Sequence, residues 1–403
     1  MSTISASTTT TTAYKVTADT TGALVLQTGA TPTTAVTVGT DQSVTLAGTL
    51  AVQSQNMTPY TGFKNRIING AMVIDQRNAG ASVTPSANQY LVDRWQAATN
   101  VSSKFSVQQS TTTATGFVNS MLATSLSAYS IGASELCALR QSIEGLNVGD
   151  LGWGTANAQT ITVSFWVRSS LTGTFGGSIM NSAADRSYPF TYTISSANTF
   201  EYKTVTIAGD TSGTWLKTNG IGLSILFGLG VGSSFSGTAG AWAGASYYGA
   251  TGATSVVGTN GATFYITGVQ LEKGSAATSF DYRPYGAELQ LCQRYYQIGE
   301  GFVGGAYSGT NFVSTYAFPV TMRTSPTVAS YGGVINISYP GVSDTAQSST
   351  SVTINGANRV STRAISLNFG NFSGLSAAAT QVYVQNVNFG GSAQNGIALS
   401  AEL

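Results

Sequence analysis

Residues Ile161-Thr-Val-Ser-Phe-Trp-Val-Arg168 alternate strictly in character along the chain. Ile161, Val163, Phe165 and Val167 form an apolar set, and Thr162, Ser164, Trp166 and Arg168 stand between them. Because successive side chains of a β-strand point to opposite faces of a sheet, this period of two predicts a strand with one buried face. Further strand-like segments follow, at 188–194, 201–207, 222–227 and 262–271. With Gly and Asn turns between them, these segments predict a jelly-roll β-sandwich over residues 59–285.

Strand-like segments also lie on both sides of this sandwich. On the N-terminal side, residues 1–58 contain three of them, at 23–28, 34–38 and 42–46, separated by turn residues. Each offers little apolar surface, so we expect a β-meander or spiral in which two or three chains wind together, with a flexible leader as the alternative. On the C-terminal side, residues 300–403 are rich in Val, Ile, Thr and aromatic residues and predict a second β-sandwich.

Residues 286–299 join the two sandwiches and have a different periodicity. Leu289, Cys292 and Tyr296 recur at helical spacing, and a glycine bounds the segment on each side. The pattern predicts a short connector helix. The fold class expected for the whole chain is therefore all-β, with an N-terminal meander or spiral, a central jelly roll, one connector helix and a C-terminal β-sandwich.

Charge is scarce along the whole chain. Only 8% of the 403 residues are charged and the net charge is +1, whereas about 25% of an ordinary soluble domain is charged. A nucleic-acid-binding protein normally carries a basic stripe, and none is visible. The longest apolar stretch, Ile221 to Val231, is shorter than the roughly 20 residues that span a bilayer. The segment Met1-Ser-Thr-Ile-Ser5 lacks the features of a secretory signal, so we expect synthesis in a cytoplasm.

The chain has no histidine, and its two cysteines lie far apart in sequence. The absence of histidine excludes Ser-His-Asp and Cys-His catalysis and most zinc and haem sites. Cys137 and Cys292 lie outside any CxxC spacing and have apolar neighbours, so we expect buried free thiols rather than a disulfide or zinc framework. No cofactor is expected.

A series of short motifs runs from residue 65 to residue 403. The segment Asn65-Arg-Ile-Ile-Asn-Gly-Ala-Met-Val-Ile-Asp-Gln-Arg-Asn78 leads to Tyr90-Leu-Val-Asp-Arg-Trp95. Further motifs follow, at 139–144, 164–169, 269–274, 280–284, 291–296, 318–326 and 401–403. In this order they resemble a widespread group of bacteriophage and prophage tail-fibre and virion structural proteins, and the strands of residues 1–58 resemble fibre-leader repeats more loosely.

The resemblance implies a jelly roll similar to carbohydrate-binding modules. It also implies a homotrimeric tail fibre that is part of the virion and is released by host lysis. In such a fibre, residues 1–58 attach to other phage tail or capsid proteins, and the distal β-domains bind host surface polysaccharide or lipopolysaccharide. A head fibre or capsid decoration protein with a purely structural role is the alternative that the same motifs allow.

Two of these motifs predict structural roles for their residues. Arg94 stands between Asp93 and Trp95, and we expect a buried ion pair under an aromatic lid, because Arg stacks on rings and binds carboxylates with two donors. Asn69-Gly70 is typical of a turn with a strand on either side.

A glycan-binding site needs exposed aromatic faces and nearby amide or carboxylate groups. Trp153, close to Asp150 and Asn157, is one candidate. Trp242, with Tyr247 and Tyr248, is another, in a Gly- and Ala-rich stretch over 237–261 that predicts a long exposed loop. Burial of these tryptophans in the sandwich is the alternative.

Metal and acid–base chemistry have weaker support. Asp75 matches a position where related jelly rolls hold calcium, but Thr267 and Gly268 stand where such modules often place aspartate, so no metal is expected. A polysaccharide depolymerase needs two carboxylates at a defined separation. Nothing in the spacing favours any of the possible pairs, which are Asp75 with Asp93, Glu135 with Glu144 and Asp281 with Glu288. We therefore expect a protein that is not an enzyme.

Overall fold

The structure is a computed structural model, and it describes most of the chain beyond residue 63. The described residues are 24–28, 33–38, 44–46, 64–299, 303–308, 311–328, 333–339, 342–349, 351–354, 360–370, 382–388 and 397–403. The chain divides into two compact units, Met1–Thr61 and Gly62–Leu403. The remainder of residues 1–58, including the polar run at its start, lies outside the described residues.

The first unit contains a three-stranded antiparallel meander. Its strands are β1 Leu24–Thr28, β2 Thr33–Val38 and β3 Val44–Leu46, in the order β1-β2-β3. Each strand falls on a predicted segment, and the predicted meander is confirmed. The prediction that this unit winds together with other chains stays a prediction.

The second unit begins with the predicted sandwich. Its long strands are β4 Gln96–Thr99, β5 Phe105–Ser110, β6 Ser120–Ser125, β7 Leu136–Glu144, β8 Ile161–Ser169, β9 Gly173–Met180, β10 Ser187–Ile194, β11 Glu201–Ile207, β12 Ile221–Val231 and β15 Thr263–Lys273. A short parallel pair, β13 Ser236–Gly237 and β14 Gly249–Ala250, lies in the loop between β12 and β15. Single turns of 3-10 helix occupy Gly145–Asn147, Gly149–Leu151 and Ser233–Phe235.

These long strands form two five-stranded antiparallel sheets. The β8 sheet has the order β11-β8-β15-β6-β5, and the β7 sheet has the order β10-β9-β12-β7-β4. The apolar face of β8 is turned inward, and Val163, Phe165 and Val167 are fully buried in the core with Phe175 and Phe227. Each such side chain contributes about 1.5–3 kcal/mol on burial. The predicted strand with one face in the core is therefore confirmed for residues 161–168, and the predicted all-β jelly-roll fold class is confirmed with it.

The connector helix is shorter than predicted. Helix α1 covers Tyr285–Gln293 and follows Pro284, a residue whose fixed φ suits a helix start. The chain then becomes extended, and β16 Tyr296–Gly299 pairs with β25 Ile397–Ser400. The helical prediction for residues 294–299 is therefore wrong, because pairing with a strand about 100 residues later in the chain overrides the local periodicity.

The remaining strands confirm that residues 300–403 are β-rich. A three-stranded sheet has the order β16-β25-β19, with β19 at Thr327–Val328. A seven-stranded antiparallel sheet has the order β21-β20-β24-β17-β18-β23-β22. Its strands are β17 Val303–Ser308, β18 Asn311–Ala317, β20 Gly333–Tyr339, β21 Val342–Ser349, β22 Ser351–Ile354, β23 Ala364–Gly370 and β24 Val382–Asn388. In the part of the chain that the structure describes, no helix is long and apolar enough to cross a membrane.

Asn69 and Gly70 lie in the predicted turn, but the segments beside them are not strands. Asn69 adopts a left-handed backbone, and its side chain binds the backbone of Ile74 in both directions, at 2.7 and 3.0 Å. On the other side, the amide of Gln141 donates to and accepts from the backbone of Ile68, both at 2.8 Å. Side-chain amides therefore satisfy the backbone groups that a sheet ladder would otherwise pair.

Arg94 is buried and ion-paired, but its partner is not Asp93. Its guanidinium binds the Glu402 carboxylate, donates to the Ser142 carbonyl at 2.7 Å and lies 3.6 Å from the ring centroid of Tyr295. Arg94 has a left-handed backbone with φ of 71°, and the Asp93 carboxylate is bound by the backbone N–H and the side-chain amide of Gln76 instead. The predicted Asp93–Arg94 pair is wrong.

The predicted lid over Arg94 also needs correction. Trp95 is fully buried and donates its indole N–H to the Asn69 carbonyl at 3.2 Å, while the ring over the guanidinium is Tyr295.

Both cysteine thiols are buried and free, as predicted. Burial raises the pKa of the Cys137 thiol to about 11 and raises that of Cys292 well above its usual value. Both side chains therefore stay protonated and serve as small apolar residues.

Candidate functional site

The outer face of the β8 sheet carries an open groove of about 650 Å³, within the size range of small-molecule sites. Its floor is made by strands β8, β11 and β15, and its walls by the loops around residues 115–117 and 277–282. The lining residues are uncharged: Thr115, Gly116, Phe117, Ser164, Trp166, Tyr202, Gly268, Ala277, Thr278, Ser279, Phe280 and Tyr282.

Trp166 and Tyr202 form the aromatic floor. They are directly opposite each other on the antiparallel pair β8–β11, and their ring centroids are 5.4 Å apart. Trp166 faces outward because the residues on either side of it, Phe165 and Val167, fill the core. Tyr202 lies on the edge strand and is 44% exposed. The strand alternation therefore places two rings side by side on a surface open to solvent.

Three further rings form one wall of the groove. Phe117, Phe280 and Tyr282 pack against one another with centroid separations of 4.8–5.4 Å. The Tyr282 hydroxyl donates to the Gly116 carbonyl, which ties the two wall loops together, and burial raises its pKa. Tyr282 is nevertheless 57% exposed, so this wall offers another aromatic surface.

Gly268 allows the wall to meet the floor. It lies at a bulge in β15 and has a left-handed backbone with φ of +60°. A Cβ at this position would lie 2.5 Å from Cζ of Phe117 and 3.1 Å from Cδ1 of Trp166. Gly268 therefore has a steric role: it makes room for both rings.

Among the described residues, no group accepts a hydrogen bond from the indole N–H of Trp166. In the other four tryptophans, this group donates to a backbone carbonyl at 2.7–3.2 Å: Trp95, Trp153, Trp215 and Trp242. All five tryptophans lie within residues 64–299, and in that range Trp166 makes no such hydrogen bond. The Trp166 N–H is not buried, so this donor is open to solvent and available to a ligand.

Hydroxyl groups extend the polar surface of the groove. The side chains of Ser164, Tyr202 and Ser279 form no hydrogen bond with any residue that the structure describes. Each hydroxyl can both donate and accept. The groove therefore combines aromatic faces with unpaired donors and acceptors.

A buried carboxylate holds the loop that carries Ser279 and Phe280. Glu272 accepts hydrogen bonds from the backbone N–H and the hydroxyl of Thr278, at 2.8 and 2.7 Å, and from the Gln270 amide at 2.7 Å. The side-chain amide oxygen of Gln270 in turn accepts the backbone N–H of Asp281 at 2.8 Å. These contacts preorganise the groove wall.

A smaller pocket of about 230 Å³ lies on the other side of the aromatic wall. It shares Gly116, Phe117, Phe280 and Tyr282 with the groove. Its remaining lining residues are Ala71, Val73, Val118, Arg283, Tyr285 and Glu288. Val118 and Tyr285 are 72% and 62% exposed, so apolar surface continues beyond the wall.

Trp153 and Trp242 are brought together, but they lie in a packed cluster. Their rings are 5.4 Å apart, and both pack against Trp215. Trp153 is only 4% exposed and donates its N–H to Gln159 at 2.7 Å. The ring of Trp153 lies in the core, so the predicted glycan contact at Trp153 is wrong and the alternative of burial applies. Trp242 keeps partial exposure.

Tyr247 and Tyr248 belong to the loop that covers the outer face of the β7 sheet. The ring of Tyr247 packs on Gly237, where a Cβ would lie 2.3 Å from it. Tyr248 packs edge-on against Phe235, at 5.5 Å, over buried residues of β7 and β12. Both tyrosines are partly buried, so the predicted long loop is in large part packed. Their predicted contact with glycan stays a prediction.

The carboxylates named as possible acid pairs are each engaged in local contacts. The three aspartates accept N–H groups: Asp75 accepts those of Asn78 and Gly80, Asp93 accepts those of Gln76, and Asp281 accepts that of Lys64. The three glutamates accept from side chains: Glu135 accepts the Tyr129 hydroxyl, Glu144 accepts donors of Arg294 and Tyr295, and Glu288 accepts the Arg283 guanidinium. Among the described residues, no group of three or more His, Cys, Asp or Glu could hold a metal ion.

The groove residues were not among the predicted site residues. The alternation around Trp166 already indicated an outward-facing tryptophan on a strand with a buried face. The ring partners of Trp166 could not be inferred, because Phe117, Tyr202 and Phe280 are distant in sequence and meet only through the sheet order.

Comparison with known proteins gives structural likenesses only. No protein-family model and no curated protein matches the chain. A tailspike protein 4 enzymatically active domain of Bacteriophage CBA120 matches 52% of this chain, with 14% identity and a TM-score of 0.27, and this chain covers 22% of that one. A family 11 carbohydrate-binding module from Clostridium thermocellum, in complex with a mixed-linked tetrasaccharide, matches 49%, with 11% identity, a TM-score of 0.24 and 98% of its own length covered. TmCBM61 in complex with β-1,4-galactotriose matches 52%, with 11% identity, a TM-score of 0.26 and 99% of its own length covered. The jelly-roll assignment rests on the strand order.

Proposed function

We propose that this chain is a glycan-binding protein and that its ligand lies in the groove on the β8 sheet. The observation that carries the proposal is the pair Trp166–Tyr202, two neighbouring rings at the floor of an open groove, with an indole N–H that is not bound by any residue the structure describes. Sugar rings present C–H faces that pack on aromatic rings and hydroxyls that need donors and acceptors. The uncharged, hydroxyl-rich lining offers both.

The proposed setting of this function is a bacteriophage tail fibre, located in the virion. It is supported by the ordered motifs from residue 65 to residue 403. In this proposal, residues 1–58 attach a homotrimer to other tail or capsid proteins, and the groove meets host polysaccharide or lipopolysaccharide. Light scattering tests the trimer, and a mass of one chain would reject it. Immunogold labelling of particles separates the tail fibre from the alternative, a head fibre or capsid decoration protein.

The proposed role is binding without catalysis. Glycoside hydrolysis needs two carboxylates on either side of the scissile bond. The lining of the groove contains no carboxylate. Of the two acidic residues that adjoin its wall loop, Glu272 is occupied by Thr278 and Gln270, and Asp281 by the backbone N–H groups of Lys64 and Asn65. Release of reducing ends from a bound polysaccharide would contradict this part of the proposal and favour a depolymerase.

The test of the binding site is the variant Trp166→Ala. We expect its affinity for a glycan identified on an array of bacterial surface oligosaccharides to fall at least about thirtyfold, the equivalent of about 2 kcal/mol, because a central aromatic anchor is lost. Titration calorimetry measures the affinity, and circular dichroism confirms that the variant is folded.

Tyr247→Ala provides the matched control for this variant. Tyr247 is a partly buried aromatic residue of the loop outside the groove, so a ligand in the groove predicts an unchanged affinity, whereas the alternative site at Tyr247 predicts a loss. The opposite result, with binding lost in Tyr247→Ala and kept in Trp166→Ala, would move the site to the loop of residues 237–261.

A further inference from the structure

Arg168 extends the face of the sheet that forms the groove floor. It is the next outward-facing residue after Trp166 on β8, about 7 Å further along the strand. Its partner on β15 is Tyr265, and the guanidinium lies 4.9 Å from the Tyr265 ring centroid and 5.9 Å from that of Phe200. Two aromatic rings therefore hold a cation beside the groove.

The guanidinium of Arg168 has no anionic partner among the described residues. Other arginines do pair with a carboxylate: Arg66, Arg77, Arg94, Arg186, Arg283 and Arg294. Arg168 forms neither an ion pair nor a hydrogen bond with any described group, and its Nε is buried without a partner. The side chain is partly exposed, so the other guanidinium nitrogens are open to solvent on the ligand side of the sheet.

The neighbours of Arg168 on the outer face of the sheet are uncharged. The groove lining is uncharged, and the ammonium of Lys64, which lies at the wall, is engaged with the Thr278 hydroxyl. On the paired strands, Tyr265 is directly opposite Arg168 and Tyr202 is opposite Trp166, and both are neutral. A guanidinium presents its donors in a planar fork that matches the two oxygens of a carboxylate or phosphate. Stacking on aromatic rings holds that fork in place and lowers the entropy cost of using it.

We infer that the groove binds an acidic glycan, with a carboxylate or phosphate group on Arg168 and the adjoining sugar ring on Trp166 and Tyr202. This inference rests on the proposed glycan-binding function and names the class of its ligand. The short separation of Trp166 and Arg168 along β8 lets one ligand contact both residues. The charge fixes the direction of the glycan along the groove.

The experiment compares matched ligands. An array of uronate-bearing, phosphorylated and uncharged bacterial oligosaccharides identifies the strongest binder. Calorimetry then measures that oligosaccharide against its carboxyl-reduced or dephosphorylated derivative, at low and at high ionic strength. We expect the acidic form to bind the native chain about tenfold more tightly, because hydrogen bonds to a charged group are among the stronger ones, and we expect added salt to narrow the difference.

Variants assign the preference to Arg168. In Arg168→Gln, which keeps much of the aliphatic stem, the affinity for the acidic form should fall to that of its neutralised derivative, and Arg168→Lys should restore part of it. Arg140→Gln is the matched control. It replaces an arginine of the β7 sheet that binds Gln96, and it should keep the full preference.

The outcomes separate the inference from the proposed function. If Trp166→Ala abolishes binding but Arg168→Gln keeps the preference for the acidic form, the acidic ligand is wrong and the groove stands. The same conclusion follows if the strongest ligands are uncharged. If Trp166→Ala leaves binding intact, or if no glycan binds, the groove itself is wrong and the inference falls with it.

Discussion

Asp93 is almost completely buried at a point where several motifs meet. Its carboxylate accepts the backbone N–H of Gln76 at 3.1 Å and the Gln76 amide at 2.5 Å. Arg77 is more distant, at 3.9 Å. Burial outweighs these favourable contacts and raises the pKa of Asp93 to about 7, with the Glu402 and Asp75 carboxylates adding to the rise. Ionised Asp93 is therefore costly in the folded state.

The raised pKa of Asp93 predicts a loss of stability with rising pH. Below pH 3.8, the ordinary pKa of the group, Asp93 is protonated in both the folded and the unfolded state. Between pH 3.8 and about 7 only the unfolded state gives up the proton, so the free energy of unfolding falls as the pH rises. We expect this loss to reach at most about 4 kcal/mol and to be complete above pH 7. Asp93→Asn should remove it, and urea unfolding across this pH range measures the effect.

The difference between the native chain and Asp93→Asn is the informative quantity. Hydrogen bonds from Arg294 and Tyr295 outweigh the effect of burial and lower the pKa of Glu144. This lowered pKa makes the protein more stable as the pH rises, and its effect is the same in both proteins. An unchanged difference between the two proteins from acid to neutral pH would show that Asp93 ionises freely in the fold.

Strand β15 decides the shape of the groove. Its bulge between Thr267 and Gln270 interrupts the pairing with β8 and permits the left-handed backbone at Gly268. Val269, next in the chain, donates its N–H to the Gly70 carbonyl at 3.0 Å and so connects the bulge to the Asn69-Gly70 turn. One strand irregularity thus positions the turn on one side and the rings of the groove on the other.

Gly268→Ala should damage both stability and binding. An alanine at φ of +60° costs about 1–2 kcal/mol in backbone strain, and its Cβ also displaces Phe117. Gly261→Ala is the control, because it has a similar φ of +71° and nothing within 4 Å of the added Cβ. Thermal unfolding should show a loss in both variants, whereas glycan affinity should fall in Gly268→Ala alone. Equal affinities would mean that the wall formed by Phe117 does not contact the ligand.

On the scale of the whole molecule, Glu402 binds residues that lie more than 300 positions earlier in the chain. Its carboxylate binds both Arg94 and Arg77, the latter at 2.8 Å. Arg323 donates to the backbone carbonyls of Ala401 and Glu402, and the Tyr90 hydroxyl donates to that of Leu403. Residues 401–403 therefore pack directly against the first motifs of the jelly roll.

Glu402→Ala should strongly destabilise this unit. It leaves Arg94, whose side chain is only 1% exposed, without a countercharge, and an uncompensated buried charge costs about 3–5 kcal/mol. Asp150→Ala is the control, since its pair with Arg66 is 48% and 24% exposed and is expected to contribute less than about 1 kcal/mol. Urea unfolding measures both variants. If Glu402→Ala costs no more than Asp150→Ala, then water reaches the Arg94 site in the folded protein.

Patterns of near neighbours predicted the elements of this protein well. The period of two in residues 161–168 correctly predicted β8, its buried face and the outward direction of Trp166 and Arg168, because strand geometry alone relates residue i to residue i+2. The buried free cysteines and the meander of β1–β3 were predicted from equally local evidence. Residues 294–299 were assigned wrongly, since their strand depends on β25.

The sequence by itself determined the all-β architecture, the inward and outward faces of its clearest strands and the burial of its thiols, because each depends on side chains close together in the chain. Only the tertiary structure decided which charges pair and which aromatic rings share a surface. Arg94 binds Glu402 rather than the adjacent Asp93, and Trp166 meets Tyr202 and Phe117 while Trp153 is buried with Trp215. These partners depend on the order and register of strands, which are set by the packing of the complete sandwich.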